Sequence, residues 1–130
     1  MKRKIPTSQK AWVIEIADAY KDAEEAIPFG SYVGAKITDQ ELFHMAPSVC
    51  IKFRGIKRNQ INVKKATEAA LSSYVATEDI PDGITRNPYM CFALCYIASH
   101  LGLGLIKENE ANEIIQYVEK HQRQIRGLMH

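Results

Sequence analysis

The chain has 130 residues, of which 46% are hydrophobic and 25% charged, with a formal net charge of +2. This is the composition of an ordinary globule that can bury a core without staples, and its length fits a single domain over residues 1–130. The net charge is too small to dictate a partner, and there is no internal repeat, heptad run or low-complexity tract.

Residues Ser8 to Ile27 read as a helix that Thr7 or Ser8 can cap. Val13, Ile16, Ala17, Tyr20, Ala23 and Ile27 mark its buried face, with Trp12 at the edge, and Asp18, Lys21, Asp22, Glu24 and Glu25 mark the wet one. Pro28 and Gly30 end it. Phe29 to Ile37 reads as a glycine-containing loop. Thr38 and Glu41 then have the spacing of a capping box, which predicts a short helix to about Ala46, stopped by Pro47.

Val49, Ile51 and Phe53 alternate with other residues over Val49 to Arg54, the pattern of a strand. Gly55 can turn the chain, and Ile56 to Ile61 is expected to return as a second short strand. Asn62 can cap a helix over Val63 to Val75, with Ala66, Ala69, Ala70 and Tyr74 facing inward. Thr77 to Arg86 is a polar connector with an Asp82-Gly83 turn signal.

The last third reads as two helices folded back on each other. Asn87-Pro88 opens the first of them. Met90 to Leu101 is almost wholly apolar, and Gly102 and Gly104 break it. In the second, Ala111, Ile114, Val118, Ile125 and Leu128 or Met129 form one apolar stripe. Glu113, Glu119, Lys120, Arg123 and Arg126 lie on its exposed face. The expected architecture is therefore mainly α with a small β contribution (α+β): a compact domain of about five helices with one small β-hairpin.

Three cysteines, Cys50, Cys91 and Cys95, are an odd number. Cys91 and Cys95 lie one turn apart on a rigid helix, a poor arrangement for a disulfide. Reduced thiols in a cytoplasmic protein are the expectation. The basic start Met1 to Lys4 is followed by Pro6 to Lys10 rather than by an apolar run, so no signal peptide is expected. Met90 to Ala98 is too short to span a bilayer, so no membrane partner is expected.

The clearest candidate for function is the stretch from Lys52 to Lys65. It holds six cations, Lys52, Arg54, Lys57, Arg58, Lys64 and Lys65, and no acid. On a hairpin these residues would either solubilise an edge, meet an acidic protein surface or lie along a phosphate backbone. Asn59, Gln60 and Asn62 add amides to the same stretch. Phe29 and Tyr32, on a glycine-flanked loop, are candidate apolar anchors for an interface. Trp12, Phe43 and Tyr89 fit core packing as well as an interface.

Cys91 and Cys95 read as core residues, since no third ligand shares their face, and His44 or Cys50 would join them only through tertiary placement. Glu41 and His44, three apart, are the nearest approach to an acid–base pair. No motif for a nucleophile, metal or phosphate loop is present, and no cofactor is expected. The expected function is non-enzymatic binding to another macromolecule, with protein the leading partner and nucleic acid the alternative. A small enzyme without a recognisable motif is the third reading. A homodimer is a further candidate, because Tyr117 and Met129 flank the stripe of the final helix.

The segment Cys91-Phe92-Ala93-Leu94, followed by Gly104-Leu105-Ile106-Lys107-Glu108-Asn109-Glu110-Ala111-Asn112-Glu113-Ile114, resembles a pattern found in small proteins encoded by bacteriophages and other mobile elements. The resemblance covers the last third of the chain. It implies an accessory protein that acts by binding to a host or phage machine, inhibitors of host defence such as anti-CRISPR proteins among them. It assigns a role to no individual residue.

Overall fold

A computed structural model describes residues 3–26, 39–78 and 88–121. These residues form five α-helices: α1 (Gln9–Ala26), α2 (Asp39–Arg54), α3 (Gln60–Glu78), α4 (Pro88–Gly102) and α5 (Glu108–Lys120). No strand occurs among them, so the expected β-hairpin over Val49 to Ile61 is not formed and the domain is helical. None of these helices is long and apolar enough to cross a membrane.

The correction has a physical origin. Val49, Ile51 and Phe53 satisfy a period of two over six residues, but Leu42, Phe43, Ala46, Val49, Cys50 and Phe53 satisfy the helical period over twelve. The longer pattern wins, because all of these except the half-buried Phe53 are at most 5% exposed along one continuous helix. Pro47 does not stop it. It lies inside α2 and is buried, so only its own N–H is lost from the helical ladder. The helix ends instead at Gly55, whose φ of 65° suits a residue without a Cβ. The Gly55 N–H reaches the Lys52 carbonyl and the Ile56 N–H the Ile51 carbonyl, both at 3.3 Å, which closes a Schellman motif. Residues 55–59 are then the turn between two helices, where a returning strand had been expected.

The other helix ends follow from local chemistry. Ser8 Oγ accepts the Ala11 N–H at 3.1 Å and caps α1. Asn59, three residues earlier than expected, caps α3 by accepting the Asn62 N–H at 2.9 Å. Asn62, the expected cap, donates instead to the Lys57 carbonyl at 2.6 Å. α4 closes with a second Schellman pattern at Gly104 (φ 72°), through Gly104 N–H to Leu101 O and Leu105 N–H to His100 O. At α5, Glu110 accepts the Lys107 N–H at 3.2 Å, half of a capping box that needs no Ser or Thr.

α4 is the centre of the stack. It packs against all four other helices, whereas α3 meets only α2 and α4. This is why α4 is apolar almost all round: Met90, Cys91, Phe92, Ala93, Cys95, Tyr96 and Ile97 are all buried. Trp12 is 3% exposed and belongs to the core, as do Ala111, Ile114 and Val118 of α5. Tyr74 of α3 stacks on Phe43 of α2 with ring centroids 5.1 Å apart. The expected loop at Phe29 to Ile37, Thr38 of the capping box, residues 79–87 of the connector and the stripe beyond residue 121 lie outside the described residues.

Gly102 belongs to α4 and serves a close approach. A Cβ there would stand 2.7 Å from both the Ala69 Cβ and the Lys65 carbonyl oxygen of α3. Gly102→Val should therefore destabilise the fold by about 1–3 kcal/mol through overpacking. In urea melts its midpoint should fall, and Ala69→Gly added to it should recover only part of the loss, because the Lys65 backbone remains in the way. An unchanged midpoint would contradict this packing.

Candidate functional site

The sequence placed six cations on one surface, and the structure divides them. Arg54 is 1% exposed and sits inside the domain. Lys52 is exposed and bonds Asp22 of α1 at 3.0 Å. Such a surface pair adds little stability. Lys57, Arg58, Lys64 and Lys65 remain exposed around the α2–α3 corner. An open groove of about 860 Å³ runs between Arg58, Gln60, Val63, Lys64 and Thr67. Phe29 and Tyr32 lie outside the described residues.

Arg54 organises a buried polar cluster that spans three helices and the N-terminal segment. A guanidinium has five N–H groups, and here each finds an acceptor. Nε donates to His100 Nε2 at 2.7 Å. Nη2 donates to Glu15 Oε1 at 2.7 Å and to the Tyr96 hydroxyl at 3.3 Å. Nη1 donates to the carbonyls of Arg3 and Lys4 at 3.1 and 2.9 Å. Arg3 returns along the same helix end. Its N–H reaches the Phe53 carbonyl at 2.8 Å, its guanidinium lies 4.3 Å over the Phe53 ring, and its side chain pairs with Glu15 and Asp18.

These bonds fix the state of His100. Nε2 accepts from Arg54, so the ring proton sits on Nδ1 and is donated to the Tyr96 carbonyl at 2.9 Å. Burial lowers the histidine from 6.5 to about 3, and the nearby Arg54 charge acts in the same direction against the bond to the Tyr96 backbone. Trp12 meets the ring edge-on at 5.0 Å.

Cys50 Sγ lies 3.3 Å from His100 Nδ1, the nearest approach to a nucleophile–base pair among the described residues. It is not an activated one. The nitrogen facing the sulfur carries the proton, the basic nitrogen is occupied by Arg54, and both side chains are fully buried. Burial pushes the thiol up to about 12, so it stays protonated and unreactive. Burial likewise raises the Tyr96 hydroxyl well above its usual range.

Glu41 is half-buried on the same helix as His44. His44 is exposed, with its ring 4.7 Å from Phe43. Cys91 and Cys95 are buried, and Cys95 Sγ faces the Ala70 carbonyl at 3.6 Å. No group of three His, Cys, Asp or Glu side chains suited to a metal ion occurs among the described residues. Trp12, Phe43 and Tyr89 are turned inward, Tyr89 against Tyr20 at 4.9 Å.

The sequence reading missed Arg54 and Glu15 as a pair. The available signal was their placement on buried faces: Arg54 follows Ala46 and Cys50 at intervals of four, and Glu15 lies between Trp12 and Ala19. No protein-family model, curated protein or solved structure matches the chain.

Two outcomes follow from the cluster. Arg54→Met would leave His100 Nε2 buried without its donor and Glu15 with only the longer 3.4 Å pair to Arg3, and should cost about 3–5 kcal/mol in chemical denaturation. The double change Arg54→Met with Glu15→Met should lose much less, since two apolar residues then replace both charges. A loss below 1 kcal/mol for the single variant, on the order of a surface pair, would contradict the buried geometry.

The second outcome concerns pH. The folded state holds His100 at about 3 while the unfolded histidine titrates near 6.5. Between these values the unfolded chain binds the extra proton, so stability is complete above 6.5 and falls as pH drops, by roughly 1.4 kcal/mol per pH unit at most. Urea midpoints measured over the upper part of that window should fall for the wild type and much less for His100→Gln. Equal slopes would contradict the assignment.

Proposed function

We propose that this chain is a non-enzymatic binding protein that engages an acidic surface of another protein through the corner between α2 and α3. The observation that carries this reading is the exposure of Lys57, Arg58, Lys64 and Lys65 at one corner, with Arg58 and Lys64 lining an open groove there together with Glu68. Among them one ion pair occurs, Lys64 with Glu68 at 4.0 Å. Such a patch steers an oppositely charged partner and fixes its orientation.

Phosphate contact by the same cations is the alternative. The amides weigh against base-specific readout, because Asn59 and Asn62 spend their side chains on the turn and the helix start. An accessory role on a host or phage machine, inhibition of host defence included, is the setting suggested by the resemblance of the Cys91 to Ile114 segment.

Capture from a nuclease-treated lysate of the encoding organism, with tagged wild type and with Lys57→Glu/Arg58→Glu/Lys65→Glu, tests the reading. The wild type should retain a protein that the variant loses, and titration with duplex DNA should give no complex at low salt. Equal retention by both chains would reject the corner. DNA binding with a steep salt dependence would replace the protein partner with nucleic acid.

A further inference from the structure

α3 turns Ala66 and Ala70 inward, packs on α2 and α4, and meets neither α1 nor α5. Its opposite face is open to solvent. Along that face Ile61, Lys64, Glu68, Leu71 and Val75 follow at alternating steps of three and four residues. These are the steps of a coiled-coil seam, and with 3.6 residues per turn they confine the five side chains to roughly 80° of arc. The face stands well out: Ile61 is 65%, Leu71 47% and Val75 50% exposed. The Lys64 and Glu68 side chains are 76% and 65% exposed. Two of its five positions are charged, so the stripe is not an apolar heptad.

We propose that this face binds a second copy of the same chain, α3 against α3, antiparallel about a two-fold axis near residue 66. The stripe is complementary to itself in that arrangement. Ile61 meets Leu71 of the second copy, Lys64 meets its Glu68, and by symmetry Glu68 meets its Lys64 and Leu71 its Ile61. Val75 falls beside the turn at Lys57. A parallel pairing in register would set lysine on lysine and glutamate on glutamate. An antiparallel shift by one heptad toward the C-terminus would set Lys64 on Val75 and Glu68 on Leu71, leaving each charge against an apolar side chain. Both alternatives carry a repulsive or desolvated layer, and that is how such seams select one partner and one register.

The flanking residues Thr67, Ser72 and Ala76 are small enough for two helices to approach. Lys64 and Glu68 already share a helix face at 4.0 Å, so the pairing would join four charges into one network. The contact is smaller than a standard interface, so the dimer is reversible and its population rises with concentration. Lys64 and the turn at Lys57 belong to both this seam and the basic corner, whereas Leu71 and Val75 belong to the seam alone, so substitutions at those two positions test the dimer separately from the acidic-partner reading.

Sedimentation velocity on the full chain over a dilution series tests it. The wild type should move from monomer to dimer mass as concentration rises. Leu71→Glu/Val75→Glu should remain monomeric throughout, with an unchanged helical circular dichroism spectrum. Lys64→Glu alone and Glu68→Lys alone each face like charges and should be monomeric. Their equimolar mixture places opposite charges across the seam again and should restore the dimer. A wild type that stays monomeric, a dimer that survives Leu71→Glu/Val75→Glu, or a mixture that remains monomeric would each overturn the proposal.

Discussion

The structure depends on one guanidinium. Arg54 enters the interior with all five N–H groups bonded, to acceptors on α1, α4 and the N-terminal segment. Burying a charged pair costs desolvation that its attraction only about repays, so Arg54 and Glu15 add little net stability over apolar residues of the same size. Their effect is on the choice of arrangement. A slip of α2 against α4 by one turn would leave several donors and acceptors of this cluster buried and unpaired, and each such group costs about 1–3 kcal/mol. The cluster thus disfavours alternative packings that hydrophobic contacts alone would tolerate. It also explains why a cysteine and a histidine 3.3 Å apart remain chemically quiet: each atom that could react is already engaged or enclosed.

The same interior determines what is left outside. α4 supplies the shared wall of the core, and Gly102 lets α3 come so close that a Cβ there would stand 2.7 Å from the Ala69 Cβ and the Lys65 carbonyl oxygen. α3 is thereby held along one side only. Its first turns and the preceding loop carry Lys57, Arg58, Lys64 and Lys65, and its outer stripe carries Ile61, Leu71 and Val75. Exposed cations and exposed apolar side chains thus lie together on α3 and the turn before it, on the side that faces neither α2 nor α4. Inside, the polar groups around Arg54 bond one another, and outside, Lys57, Arg58, Lys64 and Lys65 stay in solvent.

Much of this fold is legible in the sequence where signals agree over a whole helix. The Ser8 cap and apolar face of α1, the proline start of α4, the glycine end at Gly104 and the Ala111, Ile114 and Val118 stripe of α5 all read directly. The expected strand failed because a six-residue window cannot separate a period of two from a period of 3.6 when nearly every residue is buried. Pro47 reinforced the error, since proline inside a helix is normally a stop signal. The fate of Arg54 was not legible at all from the charge run around it. Its partner Glu15 lies 39 residues away, and only the three-dimensional stack brings them together. Conversely, the exposed stripe of α3 became visible only once the buried side of that helix was known.

His100 is a neutral acceptor held by a buried Arg54, and its ring nitrogens report this directly. Two-bond nitrogen–proton correlation spectra of the labelled protein should show His100 with its proton on Nδ1 and a bare Nε2, unchanged from neutral pH down through the ordinary histidine range. A proton on Nε2, or a titration of His100 near 6.5, would contradict the account.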